Sequence, residues 1–300
     1  MNGGKHLMIK SFLKYLQYEK RYSQHTIKSY STDLTQFSNF INFHYSGVKI
    51  ESADHKMVRD WLVSLVGENI SPRSINRKIA SLRSFYKFLL KNKFTDHNPT
   101  LKVRVLKTSK NIPQFFKEAD IIRILDEYDY GDDFEGYRDK LMLELLYGTG
   151  IRLSELINIR ENDINYFDES LKVLGKRNKE RIIPLNGELI TLINDYKKYK
   201  RKDFLANEND YLIVTNNGLK CYPMMVYRTV KKYLDIFTAN DKRSPHVLRH
   251  TFATHLLNKG AELNAVKDLL GHASLAATQV YTHNSLEKLK KVFDQAHPKA

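Results

Sequence analysis

One stretch of the chain concentrates side chains suited to proton and phosphate chemistry. Residues 244–250 read Ser-Pro-His-Val-Leu-Arg-His. Ser244 is a helix-capping residue type, and Pro245 suits a first helical turn. His246 and Arg249 stand three apart and so share one helix face. Leu248, Phe252 and Leu256 fall on a different stripe and are expected in the core. Ala253, one turn beyond Arg249, is small enough to let a ligand approach, and Gly260 closes the helix. Gly271-His272 follows an apolar helix and sets an imidazole just past its end. Ser274 opens a short helix that delivers Tyr281. The set is two imidazoles, a guanidinium and a phenol. A guanidinium takes phosphate oxygens in a two-pronged fork. An imidazole moves a proton near neutral pH, and a phenol can act as a covalent nucleophile. Phosphoryl transfer asks above all for charge stabilisation. These types suit attack on a phosphodiester, although spacing alone does not bring them together in space.

The charge distribution points to a polyanion. The chain of 300 residues carries a formal +15. Residues 1–110 hold 20 basic and 7 acidic side chains, a net +13, which leaves +2 for residues 111–300. A basic first third joined to a near-neutral remainder suggests a module that embraces nucleic acid. A merely basic, solvated surface is the plainer alternative. No apolar run reaches the ~18 residues of a membrane helix. The N-terminus lacks a signal-peptide core, and the single Cys221 makes no internal disulfide. A reducing, cytoplasmic setting follows as the expectation.

The elements that must position these residues are mainly helical. Residues 7–21, 25–42, 55–67 and 72–91 carry amphipathic stripes, the last starting at Ser71-Pro72. On residues 72–91 the side opposite the apolar stripe is read as carrying Arg73, Arg77, Lys78, Lys87 and Lys91. Arg73, Arg77 and Lys78 are the candidate DNA contacts there. Residues 1–100 are thus expected to form a four-helix DNA-binding domain, 101–114 a linker, and 115–300 a second domain. That domain opens with helices near 117–128 and 136–147, a break at Gly148-Thr149-Gly150, and a short helix over 152–160. A β-hairpin is expected within 165–185, around the polar turn GKRNKER, with a further strand at 211–214. Helices follow at 188–202, 223–237, 246–259, 262–270, 274–282 and 286–295. The fold class is α+β, mainly helical, with a small antiparallel sheet.

Several blocks in order make the chain recognisable: LLYGTGIRLSELINI at 145–159, VLGKRNKERIIPL at 173–185, and SPHVLRHTFATHLLNKGAELNAVKDLLGHASLAATQVYTH at 244–283. The N-terminal YLQYEKRYSQHTIKSYSTDLTQF and the closing HPKA fit the same pattern. Over essentially its whole length the chain resembles the tyrosine recombinases, the phage-integrase-like family, in their bacterial Xer (XerC and XerD) branch. The resemblance implies six catalytic residues: Arg152, Lys176, His246, Arg249, His272 and the nucleophile Tyr281. Arg177 departs from the pattern, standing where such chains usually carry Gly. A second cation beside Lys176 bears on the hairpin turn and on DNA contacts.

The implied reaction needs no metal, ATP or other cofactor. Tyr281 attacks the scissile phosphate and leaves a 3′-phosphotyrosyl link and a free 5′-hydroxyl. Arg152, Arg249 and His272 hold the non-bridging oxygens, Lys176 protonates the leaving oxygen, and His246 assists proton transfer at the tyrosine. The implied partners are double-stranded DNA and a homo- or hetero-tetramer of related recombinases that exchange the tail helix 286–295. An accessory activator completes the set. The implied role is resolution of chromosome dimers at cell division, in the cytoplasm on nucleoid DNA. The rival readings are an integrase of a phage or conjugative element, a type IB topoisomerase, and a non-catalytic DNA-binding protein. The first helix is expected to begin within about ten residues of Met1, where an arm-binding domain is not expected to fit, although simple integrases also lack such arms. That favours the Xer reading. His246, His250, His255 and His283 raise a zinc site, but no carboxylate or thiolate stands at metal-site spacing beside them.

Overall fold

Two separate apolar cores form along the chain, one within Met1–Asn111 and one within Ile112–Ala300. The computed structural model describes residues 7–108, 114–175, 179–204, 210–238 and 243–271, together with Lys290, Phe293, Gln295 and Ala296. The expected helix 274–282 and most of 286–295 lie outside the described residues.

The first unit contains α1 (Leu7–Lys14), which runs on as a wide π-type turn over Tyr15–Glu19, α2 (Gln24–His44), α3 (His55–Gly67) and α4 (Pro72–Lys91). The last three begin where a side chain takes up a free backbone N–H. Ser23 Oγ accepts from Thr26 N at 3.3 Å, Asp54 Oδ1 from Met57 N at 2.8 Å and Ser71 Oγ from Ser74 N at 3.3 Å. Phe12 lies at the centre of the core, its ring 5.4 Å from Phe85 and 5.3 Å from Phe88. The segment after Pro99 stays on this unit. Asn76 and the Leu106 backbone exchange two hydrogen bonds of 2.9 and 2.8 Å, and Arg83 donates to Val103 O.

One expected face is corrected. Lys78 is 6% exposed rather than solvated. It stands three residues after Ile75 and four before Leu82, and so falls on the apolar stripe of α4. Asp33 occupies the matching stripe of α2 between Tyr30 and Phe37 and is fully buried. The two meet at 3.2 Å, and Asp33 also accepts from Arg77 and, at 2.8 Å, from Ser81. A buried charge survives only with such partners. Arg73 and Arg77 remain exposed.

In the second unit α5 (Glu118–Ile122) continues as a π-type turn over Arg123–Glu127, and α6 (Phe134–Gly148) follows. Nearly all of α6 is buried. Then come α7 (Leu153–Leu156), β1 (Ile164–Asn165), β2 (Ser170–Leu174), β3 (Glu180–Pro184), α8 (Gly187–Asp203), α9 (Pro223–Phe237), α10 (Pro245–Asn258) and α11 (Leu263–Leu270). The sheet is antiparallel in the order β1-β2-β3, with Leu171 opposite Ile183 and Val173 opposite Arg181. Since side chains alternate along a strand, this register turns Arg181 and Ile183 to the same buried face.

Residues 211–214 do not join that sheet. They make isolated bridges, Arg160 with Tyr211 and Val214 with Lys220, and the third strand is β1. Leu212, Ile213 and Val214 are buried, and Leu212 N donates to Ile159 O at 2.8 Å. A short apolar run marks burial but not pairing. The helix expected over 152–160 is only α7, because Arg160 already begins a separate tight turn at Glu161–Asp163. Ser244 stands at the N-cap of α10 without a capping hydrogen bond from its side chain, so Pro245 provides the start. No helix among the described residues is long and apolar enough to cross a membrane.

Candidate active site

The break after α6 is where the site begins. Gly150 adopts φ +61°, and a Cβ there would lie 2.4 Å from the Phe252 ring. Only glycine tolerates both the backbone and the ring. The turn presents its carbonyl to Arg249, one turn inside α10. Arg249 Nη1 donates to Gly150 O and Nη2 to Leu270 O, each at 2.5 Å. Burial, and then the neighbouring Arg152, lower the Arg249 pKa to about 10, so it remains a cation at neutral pH.

Arg152 begins α7. Its Nη1 donates to Glu155 Oε1 at 2.7 Å and its Nη2 to Gly271 O at 3.2 Å. The side chain keeps 30% of its surface exposed. Glu155 is buried, which opposes its charge. The hydrogen bonds and charge of Arg181 outweigh that burial, helped by the Arg152 backbone N–H and guanidinium, and hold the carboxyl at about 2. Three guanidiniums and one carboxylate make a cluster of net charge +2. A phosphodiester carries one negative charge and its five-coordinate transition state two, so such a cluster favours the transition state over the ground state.

His246 is exposed at the start of α10, with Arg249 buried one turn further on. The two share a helix face at different depths. Lys176, Arg177, His272 and Tyr281 lie outside the described residues. The glycines preceding Lys176 and His272 are described, and both border the cluster. A Cβ at Gly175 would lie 3.5 Å from Arg181 Nη1 and Glu155 Oε1, and one at Gly271 would lie 3.1 Å from Arg181 Cδ. His255 is a packing residue: its ring bonds Tyr147 Oη at 2.9 Å and Phe116 O at 3.0 Å. Cys221 is buried, and burial raises its thiol pKa to about 11. Among the described residues no group of three or more His, Cys, Asp or Glu is arranged to hold a metal ion.

The phage integrase family model matches residues 114–288, and the model of the phage integrase N-terminal SAM-like domain matches residues 9–93. The chain belongs to the phage integrase family. The recombinase is 40% identical over 290 residues to tyrosine recombinase XerC of Staphylococcus epidermidis, covering 97% of each chain. It is 35% identical to XerD of Staphylococcus haemolyticus, covering 98% of this chain and 99% of that one. Two solved structures share its fold. One is the Tn1549 transposon integrase, with a TM-score of 0.69 at 20% identity, covering 95% of this chain and 98% of that one. The other is XerH, with a TM-score of 0.68 at 20% identity, covering 94% and 83%. The recombinase is thus a DNA breaking-rejoining enzyme of the Xer-type tyrosine recombinases.

Two members of the recombinase's cluster, Glu155 and Arg181, went unassigned in the sequence. The available signal for Arg181 was its place two residues before Ile183, on the inward face of a strand. An inward cation demands a carboxylate partner. The depressed Glu155 pKa has a stability consequence. A folded pKa of about 2 against an ordinary 4.5 contributes stability that is complete above pH 4.5 and is lost as pH falls through about 2. Glu155→Gln is expected to lower unfolding free energy at pH 7 by about 3 kcal/mol. Denaturant titrations at several pH values should show the gap to wild type closing between pH 4.5 and 2; a gap independent of pH would contradict this origin.

Proposed function

We propose that the chain is a site-specific recombinase that cuts and rejoins DNA through a 3′-phosphotyrosyl intermediate, acting in the resolution of chromosome dimers in the bacterial cytoplasm. The observation that carries this reading is the convergence of Arg152 and Arg249 on consecutive carbonyls at the end of α11, one residue before His272. In this mechanism the two guanidiniums and His272 bind the non-bridging oxygens of the scissile phosphate. Tyr281 Oη forms a bond to phosphorus as the bond to the 5′-oxygen breaks. His246 assists removal of the phenol proton, and Lys176 delivers a proton to the leaving 5′-oxygen. The phosphotyrosyl bond conserves the energy of the broken one, so a 5′-hydroxyl from the partner duplex reverses the step with no ATP. Removing one charge-stabilising arginine is expected to slow cleavage by about 100–1,000-fold.

Strand exchange between two duplexes requires a tetramer, formed by copies of this chain or with a related recombinase, with an accessory activator as a further partner. Two solved relatives support a DNA-bound assembly: XerH is bound to its difH substrate, and lambda integrase is a tetramer bound to a Holliday junction. The test is incubation with duplex DNA bearing the recombination site and a nick beside the scissile phosphate. The nick lets the cleaved end diffuse away and traps the intermediate. A covalent protein–DNA band on a denaturing gel supports the proposal, and its absence on a bound site opposes it.

The first unit supplies the basic surface. Arg73, Arg77 and, in the hairpin turn, Arg177 are the proposed phosphate contacts, and Lys78 is committed to Asp33. Affinity is expected to fall steeply with salt. Arg73→Ala and Arg77→Ala should each reduce the log–log salt slope by about one unit. Lys78→Ala should leave the slope unchanged; both it and Arg77→Ala should lower stability, because each takes a partner from buried Asp33. Filter binding across salt concentrations, beside thermal unfolding, separates these effects.

A further inference from the structure

Three successive carbonyls at the end of α11 each accept from a different arginine. Leu269 O takes Arg181 Nε at 2.9 Å, Leu270 O takes Arg249 Nη2 at 2.5 Å, and Gly271 O takes Arg152 Nη2 at 3.2 Å. The end of a helix is the negative pole of its dipole and leaves carbonyls without intrahelical partners. Here those carbonyls set the spacing of three cations. Gly271 turns left-handed at φ +62°, and a Cβ on it would crowd the Arg181 side chain at 3.1–3.3 Å.

Arg181 differs from the other two in closing both Nη atoms on one carboxylate. Its side chain is only 5% exposed, and its Nη1 and Nη2 both reach Glu155, each at 2.9 Å. With Nε on Leu269 O, all three nitrogens of the guanidinium donate inside the protein, and its charge is matched by the Glu155 carboxylate. Glu155 in turn grips Arg152 twice, at its backbone N–H and at Nη1, each at 2.7 Å. Arg181 therefore reaches Arg152 through Glu155, and it reaches Arg249 through the helix end they share.

We infer that Arg181 is a positioning residue for strand cleavage, which holds Arg152 and Arg249 in register without touching the scissile phosphate. The inference rests on the proposed reading that those two arginines bind that phosphate. Arg181→Lys keeps the charge but cannot reproduce a three-pronged fork. A misplacement of about 1 Å can cost about 100-fold in rate, so the single-turnover rate of adduct formation should fall by about 10–100-fold while site affinity stays within about twofold.

A purely structural pair would weaken the protein without caring about phosphate charge. The deciding substrate carries a methylphosphonate at the scissile position, where one charged oxygen is replaced by an uncharged methyl group. With less charge to stabilise, the rate defect of Arg181→Lys should shrink to a few-fold, in parallel with that of Arg152→Ala. Equal defects on both substrates, or a wild-type rate on the phosphodiester, would overturn the inference. If Arg152→Ala cleaves the phosphodiester at the wild-type rate, the failure lies in the arginine assignment itself. Should Arg181→Lys not fold, Arg181→Gln carries the same test, because a shorter amide cannot span Glu155 and Leu269 O together.

Discussion

Tyr281→Phe is expected to abolish the covalent protein–DNA adduct and to leave DNA binding within about threefold of wild type. The substitution removes one oxygen, the proposed nucleophile, and barely changes the shape of the ring. The cations that attract the phosphate stay: Arg152 and Arg249 are held by carbonyls and by Glu155, and none of those contacts involves Tyr281. A bound but uncut complex is the outcome, read as a gel shift under native conditions with no band under denaturing ones. An adduct of normal yield would move the nucleophile elsewhere. An equal loss of binding would make Tyr281 a structural residue.

Deleting residues 285–300 is expected to abolish recombination on a two-site substrate while binding to a single site persists. Leu286, Leu289, Val292 and Phe293 recur at helical spacing and make one apolar stripe. A helix this short does not hold in water unless that stripe docks. In the single chain Phe293 is 2% exposed and belongs to the core of the second unit, with Ala296 beside it. If copies of the chain exchange this element, a seat of that kind would take the neighbour's tail instead. Exchange would tie the position of Tyr281, a few residues upstream, to the presence of a neighbour. Truncation also uncovers the seat, so the second unit should lose about 3–5 kcal/mol of stability, the usual cost of removing a buried Phe. Band shifts with one and two sites, followed by a strand-exchange assay, check both parts. Normal recombination by the truncated chain would show that the tail is not the coupling element.

Legibility in the sequence followed the local physics. Helices α3, α4 and α9 start and stop where Asp54, Ser71-Pro72 and Pro223 and the ends of their apolar stripes put them. In those segments the caps and the periodicity agree. The hairpin was readable because apolar residues flank a polar turn. The pairing of residues 211–214 was not, because Leu212, Ile213 and Val214 are buried all round and a uniformly apolar run carries no register. Lys78 is misplaced by the sequence reading, although it and Asp33 each sit on an apolar stripe, and two opposite charges on facing stripes imply a buried pair. In the site, motif residues such as Arg152 and Arg249 stood out by resemblance. Arg181 did not, because its role depends on a strand register and on the end of α11, 88 residues away in sequence. Long-range partners of this kind leave no local pattern.

The most direct test of the central claim is to digest the trapped adduct with protease and nuclease and to map the modified peptide by mass spectrometry. The account predicts a single phosphotyrosine at Tyr281, joined to the 3′ end of the cut strand, with a free 5′-hydroxyl on the released fragment and the same yield in the presence of a metal chelator and the absence of ATP. A 5′-linked adduct, a link through any other residue, or cleavage that stops when metal is removed would contradict it.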